Sequence, residues 1–222
     1  MSLKIYGVLK SRASRNVWLL NDLDKPYELV PIVQTYRLKD PNAADAPVHT
    51  QSAEFRRINP NGHIPTLTDG ALTLHESLAI NLYIAKKFGG PLAPKDVAED
   101  GEMTMWALWA ATEVETHSLN LLMHTAQLPE AERDPAVAAA AREGLQQPLA
   151  VLSNALTTGG GFLVGRRFTV ADINTCEVCR YAQRSSDVID AFPAVKTWME
   201  ACQARPAFAK MWADRAAEPD PA

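Results

Sequence analysis

Apolar and polar positions change their spacing partway along the chain. Up to about residue 88, short strand-like runs alternate with helix-spaced ones; beyond about residue 98 nearly every apolar position is helix-spaced. Leu3–Tyr6 reads as a short strand. From Ser14, the run Val17, Leu19, Leu20 and Leu23 predicts a helix that stops at Lys25-Pro26, where the proline disfavours helix before it. Tyr27–Val33 is again strand-like, Gln34–Thr50 is an irregular, proline-bearing surface loop, and Ala53–Ile58 is a helical turn burying Phe55 and Ile58. Ile64–Thr68 and Ala71–Leu74 flank Asp69-Gly70, a two-residue hairpin signal. Glu76–Phe88 follows as an amphipathic helix terminated by Gly89-Gly90-Pro91. The order β-α-β, then β-β-α, is the layout of a thioredoxin-like mixed sheet.

The second half predicts helices over Glu102–Gln127, Pro135–Thr157, Val170–Gln183, Ala191–Arg205 and Pro206–Arg215. The expected division is an α/β domain over 1–88, a linker over 89–98, an all-α helical bundle over 99–216, and a proline-rich tail over 217–222 that frays. Thr169-Val-Ala-Asp172 is a capping box with Phe168 placed to staple onto Ile173, and it reads as a folding determinant.

Composition narrows the class. Of 222 residues, 47% are hydrophobic and 22% charged, which fits a globular protein and not a disordered one. No apolar run is long enough to span a bilayer, and the first residues lack the layout of a secretory signal, so the expected location is the cytoplasm. Residues 1–90 hold 11 Lys/Arg against 8 Asp/Glu, net +3; the remainder holds 11 against 18, net −7. No basic stripe suits nucleic acid, whereas the first half suits an anionic small molecule. The three cysteines, Cys176, Cys179 and Cys202, read as reduced, buried and structural, since there is no second pair to complete a zinc site.

Four places carry candidate chemistry. A proline at Ile64-Pro65 cannot donate to a strand ladder. A cis bond there would turn the N–H and C=O of Ile64 toward an extended ligand, and an ordinary trans proline on an edge strand fits the sequence equally well. Glu76-Ser77 either simply stabilise a helix start or hold a zwitterionic head group, Ser77 taking a carboxylate and Glu76 an ammonium. Ser11, after the first strand, either caps the next helix or donates to a thiolate; Ser14 competes with it and has the better position for an N-cap. On the long helix, Met103, Trp106, Ala110, Glu113 and His117 form one stripe. Its acid and imidazole are either an i,i+4 surface pair or part of a pocket or interface, and two such ligands are too few for a metal site.

In this order, Ser11, Asn59-Pro60-Asn61-Gly62-His63-Ile64-Pro65, Glu76-Ser77 with Ala79-Ile80, and Phe168-Thr169-Val170-Ala171-Asp172 resemble the cytosolic glutathione transferase family, in its serine-type, bacterial-like form, over roughly residues 3–212. The resemblance implies a thioredoxin-like domain that binds glutathione as cosubstrate, a helical domain that covers it to form the pocket for a small-molecule electrophile, and a homodimer. It implies that Pro65 is cis, that the Ile64 backbone pairs with the cysteinyl part of glutathione, that Glu76 and Ser77 hold the γ-glutamyl head, and that Gln51 and His63 reach the glycyl end. Ser11 would stabilise the thiolate as a hydrogen-bond donor for attack on electrophilic or peroxide substrates, a detoxifying chemistry. Tyr6, inside the predicted strand, is the weaker choice for that role. Trp106, Glu113 and His117 would stand near the electrophile. Ala13 replaces the cysteine of the zeta-class isomerases and Lys10 that of the beta class, which disfavours both chemistries. The alternatives are glutathione-dependent disulfide reduction and a binding module of the same fold without turnover.

Overall fold

The computed structural model describes residues 3–220, which form two compact units. One runs through Phe88 and resumes at Pro206; the other is Gly89–Arg205.

In the first unit, strands β1 (Leu3–Tyr6), β2 (Tyr27–Val30), β3 (Thr66–Asp69) and β4 (Leu72–His75) form a sheet of order β2-β1-β3-β4. β1 runs parallel to β2 and antiparallel to β3, so Ile5 lies opposite both Leu29 and Leu67. Ile5 and Leu67 are fully buried, as befits a sheet centre covered by helices. Helix α1 (Ala13–Asp22) is buried continuously from Ala13 to Leu20. It packs against α3 (Ser77–Phe88), while α2 (Ala53–Ile58) buries Phe55. β2 ends at Val30, before Pro31, and Val33 instead makes an isolated bridge with His49. β3 and β4 each end one residue later than the spacing predicts, with Asp69 paired to Leu72 across the hairpin.

Two expectations about the C-terminal end are corrected. Helix α10 (Pro206–Ala217) groups with the first unit and not with the helical bundle, because Phe208 and Met211 bury where α10 packs on α1. The Trp18 and Phe208 rings meet edge to face with centroids 4.9 Å apart. The tail is not frayed through Asp220: the Glu218 carboxylate accepts the N–H groups of Leu9 and Lys10, and Asp220 pairs with Lys10 and Arg37. Pro221 and Ala222, also expected to fray, lie outside the described residues.

The second unit is helical. α4 (Val97–Trp109) starts earlier than its apolar spacing suggests, because Asp96 caps it by accepting the Glu99 N–H at 2.9 Å. The predicted single helix is interrupted by π-helical turns at Ala110–Val114 and Met123–Gln127, on either side of α5 (Glu115–Leu122). α6 (Pro135–Thr158) follows, then α7 (Val170–Cys179), α8 (Ser186–Asp190) and α9 (Pro193–Gln203). The predicted helix over Val170–Gln183 ends at Cys179 and tightens into a 3₁₀ turn over Arg180–Arg184.

The capping box is formed: Thr169 Oγ1 accepts from the Ala171 N–H at 3.3 Å, and Asp172 Oδ2 accepts from the Thr169 N–H at 2.8 Å. Asp172 also accepts from Trp198 Nε1 at 2.9 Å. Arg167 grips Glu99 with both fork nitrogens, at 2.8 and 2.6 Å, and donates to the carbonyls of Pro91 and Ala93. The three cysteines are free and buried. Among the described residues, no helix is long and apolar enough to cross a membrane, and no cluster of three potential metal ligands occurs.

Candidate functional site

Ser11 lies half-buried in the turn between β1 and α1. Its Oγ donates to the Val8 carbonyl at 2.6 Å and accepts the Ala13 N–H at 3.1 Å. Ser14 is wholly buried inside α1 and donates back to the Ser11 carbonyl at 3.0 Å. Ser14 is therefore not the N-cap that its spacing suggested. That position belongs to Arg12, whose side chain makes no capping bond, and the Ser11 hydroxyl covers the helix start. Tyr6 is in β1, its ring tilted against Phe55.

Gly7 brings this turn close to the proline segment. A Cβ on Gly7 would stand 3.0 Å from the Ala13 Cβ and 3.5 Å from the Ile64 Cβ, so the bare backbone lets the two approach. Ile64 also packs on a small cluster of Val8, Val33 and Leu38.

The Ile64–Pro65 peptide bond is cis. The buried Asn59 side chain builds the turn before it, donating to the His63 carbonyl at 2.7 Å and Thr66 Oγ1 at 3.0 Å, and accepting the Asn61 N–H at 3.0 Å. Gly62 has φ 62°, and a Cβ there would meet the Thr50 carbonyl at 2.6 Å. The turn is thus satisfied from within, and among the described residues no hydrogen bond ends on the Ile64 N–H or C=O. His63 is exposed. Gln51 is exposed too; its carboxamide oxygen accepts from Arg56, and its N–H donates to Thr35 Oγ1 at 3.1 Å and His49 Nδ1 at 3.2 Å.

Glu76 and Ser77 stand side by side where α3 begins. Glu76 is exposed and holds a left-handed backbone at φ 66°, uncommon for a residue with a side chain. Ser77 is buried, and its Oγ accepts from Arg15 Nη1 at 3.0 Å. Asn16 Nδ2 donates to the Ser77 carbonyl at 2.9 Å and to Asn81 Oδ1 at 2.7 Å, and Asn81 donates back to the Arg15 carbonyl at 3.2 Å. Sequence reasoning missed Arg15, Asn16 and Asn81. The available signal was polarity: Arg15-Asn16 directly precede the apolar run of α1, and Asn81 follows Ile80 in α3, where each must find a buried partner.

The helical-unit residues are not drawn together. Trp106 is buried, stacked edge to face on Trp109 with centroids 5.0 Å apart. Glu113 lies exposed in the first π-helical turn and accepts from Thr112 Oγ1 at 3.3 Å. The His117 ring occupies the space over Gly144 of α6. No ion pair joins Glu113 to His117 among the described residues, because the wider turn breaks the four-residue spacing between them.

This combination, a four-stranded mixed sheet with a cis-proline just before its third strand and a helical second unit, has counterparts among known proteins. The profiles for the glutathione S-transferase N-terminal and C-terminal domains match residues 5–92 and 111–206. Glutathione S-transferase 3 of Zea mays is 32% identical, over 94% of this chain and 92% of that protein. Among solved structures, glutathione transferase F7 of Populus trichocarpa superposes with a TM-score of 0.81 at 26% identity, covering 96% of this chain and 99% of the other. The theta-class enzyme of Xanthomonas axonopodis pv. citri, solved with glutathione bound, superposes with a TM-score of 0.73 at 26% identity, covering 94% and 96%. The chain belongs to the glutathione S-transferase family.

Proposed function

We propose that this glutathione transferase holds glutathione along the segment from Ile64 to Ser77 and ionises its thiol at Ser11. The observation that carries the reading is the bond from Arg15 to Ser77. Because Ser77 Oγ accepts from a guanidinium, its own proton is free to point at a ligand carboxylate. The buried positive charge and the first N–H groups of α3 favour the same anion. Glu76 then takes the adjacent ammonium, and its left-handed backbone, costing about 1 kcal/mol, is a departure that a binding role explains. The unbonded N–H and C=O of Ile64 suit the backbone of the cysteinyl residue. Gln51 and His63, both exposed, suit the glycyl end.

Ser11 acts without forming a covalent bond. The Ala13 N–H that it accepts polarises its hydroxyl, so turning the proton from the Val8 carbonyl to the sulfur gives the thiolate a strong donor. The thiol proton leaves to solvent, and the sulfur lone pair forms the new C–S bond. The leaving group on the electrophilic carbon departs with its bonding pair or, for an activated alkene, the π pair moves onto the adjoining electron-withdrawing group. Trp106, Glu113 and His117 have no part in the ionisation step.

The finer expectations are a cytoplasmic location and a homodimer. Met105 and Leu108, exposed about a turn apart on α4, support a second copy as the cover for that face. Light scattering that returns only the monomer mass would dismiss the dimer.

The central test is Ser11→Ala, followed by ultraviolet titration of the bound glutathione thiolate. The thiol pKa is expected to rise and turnover to fall, with glutathione affinity nearly kept. An unchanged thiol pKa sinks the role given to Ser11.

A further inference from the structure

The two residues before Ser11 are held by the chain's C-terminal segment. Glu218 Oε1 accepts the Leu9 N–H at 2.6 Å and Oε2 accepts the Lys10 N–H at 2.7 Å. Arg215 donates to the Leu9 carbonyl. Asp220 Oδ1 receives Lys10 Nζ at 2.9 Å and Arg37 Nη2 at 3.0 Å. The Lys10 carbonyl is taken by Gln34 Nε2 at 3.3 Å, and Arg37 reaches back to Gln34 Oε1 at 3.4 Å.

Leu9 and Lys10 lie beyond β1 and before α1, so neither the sheet ladder nor the helix can satisfy their backbone groups. A carboxylate bridging two consecutive amides is a charge-assisted, two-point grip that fixes both peptide planes. Those planes set the direction of the chain entering Ser11 and the position of the Val8 carbonyl with which the Ser11 hydroxyl is bonded.

We infer that Glu218 is a positioning residue for thiol activation: its grip on the Leu9 and Lys10 amides holds the Ser11 hydroxyl where it can donate to the glutathione sulfur. Arg215, on the Leu9 carbonyl, and Asp220, on the Lys10 ammonium, brace the same turn. This rests on the assignment of Ser11 as the thiolate donor. Glu218 touches no reacting atom. Its effect reaches the sulfur only through the Ser11 turn.

The test is a double-mutant cycle on the full chain with Ser11→Ala, Glu218→Gln and the pair, reading kcat, the glutathione KM and the thiol pKa of bound glutathione. Glu218→Gln keeps the size of the side chain but puts an NH2 group against an amide donor. It is expected to lower kcat roughly tenfold, as small misplacements of a reacting group do. It should raise the thiol pKa and leave the glutathione KM within about twofold. In the Ser11→Ala background the same change should have no further effect on the thiol pKa, since linked residues are not additive. A full Glu218→Gln effect on the thiol pKa in the Ser11→Ala background overturns the inference, as does an unchanged thiol pKa in the single variant while Ser11→Ala shifts it. If Ser11→Ala itself leaves the thiol pKa unmoved, the Ser11 assignment has failed, and this inference fails with it. Glu218→Ala, followed by thermal unfolding, reports folding separately: a lower Tm with kcat and thiol pKa intact overturns positioning in favour of stability alone.

Discussion

Arg15 Nη1 donates to Ser77 Oγ at 3.0 Å, joining the first turn of α1 to the first residue of α3 across 62 residues of sequence. In the proposed site, the side chain at the head-group end therefore leaves the chain four residues after Ser11, the proposed thiol donor. Arg15 lies in α1, and Ser11 in the turn that leads into it. Replacing Arg15 with Met keeps much of the stem but removes the fork and the charge. Stability is expected to fall by about 2 kcal/mol, the cost of removing a charged hydrogen-bond donor from buried partners. The glutathione KM should rise more than kcat falls, which steady-state kinetics will check. A lower kcat at unchanged KM would remove Arg15 from head-group binding.

Gly62→Ala combines a left-handed φ of 62° with a Cβ 2.6 Å from the Thr50 carbonyl. The change should cost about 1–3 kcal/mol in urea unfolding. It should weaken glutathione binding as well, since the turn it distorts delivers Ile64. A variant as stable as the parent would mean that the Asn59 turn yields without strain.

Asp172 is pushed up to about 6 by burial, against the hydrogen bonds from Trp198, Thr169 and Leu163 that favour its charged form. Its folded pKa lies above the value of 3.8 expected when unfolded, so the folded state holds the proton more tightly. The resulting stabilisation is complete below pH 3.8 and disappears as pH rises through 6. Between pH 5 and pH 7.5 the protein should lose about 1 kcal/mol from this group. Asp172→Asn should be less stable throughout, with that component of the slope absent; the same slope in the variant would assign it to other groups.

Glu99 titrates in the opposite direction. Arg167 holds its carboxyl down at about 2, so this contribution is present above the ordinary value of 4.5 and is lost as pH falls toward 2. Arg167→Lys cannot reproduce the two-point fork or reach both the Pro91 and Ala93 carbonyls. A loss of about 1–2 kcal/mol at neutral pH is expected, along with a shallower acid limb. Denaturant titrations at pH 7 and pH 3 will separate the two effects.

Asn59–Ser77 was legible because its devices are local. Pro65, Gly62, Asp69-Gly70 and the helix start at Ser77 each act within a few residues, and a strict residue type betrays each one. Ser11 followed the first strand and could be picked out by position. Spacing could not tell which of Ser11 and Ser14 sits half-buried in the turn and which is wholly buried in α1. Arg15 and Asn81 were illegible for another reason: their partners lie more than sixty residues away, and polarity in a helix says only that a partner is needed, not which. Arg167 was passed over as a neighbour of the capping box, although its fork ties Glu99 to the segment before α4. The tail misled most. A short run of Glu, Pro, Asp and Ala looks like solvent-exposed chain until two amides before Ser11 are seen to need an acceptor.

The packing of Phe208 against Trp18 bears on the order of synthesis. Residues 3–88 leave the ribosome long before α10, so during most of translation the α1 surface around Trp18 has no cover. The helical unit, contiguous over Gly89–Arg205, has all its own parts before α10 is made. The thioredoxin-like unit should therefore be the second to finish, although it is the first to emerge. A fragment ending at residue 88 is expected to show solvent-shifted Trp18 fluorescence, reversed by adding a peptide spanning 206–220. A fragment that buries Trp18 by itself would restore the ordinary order.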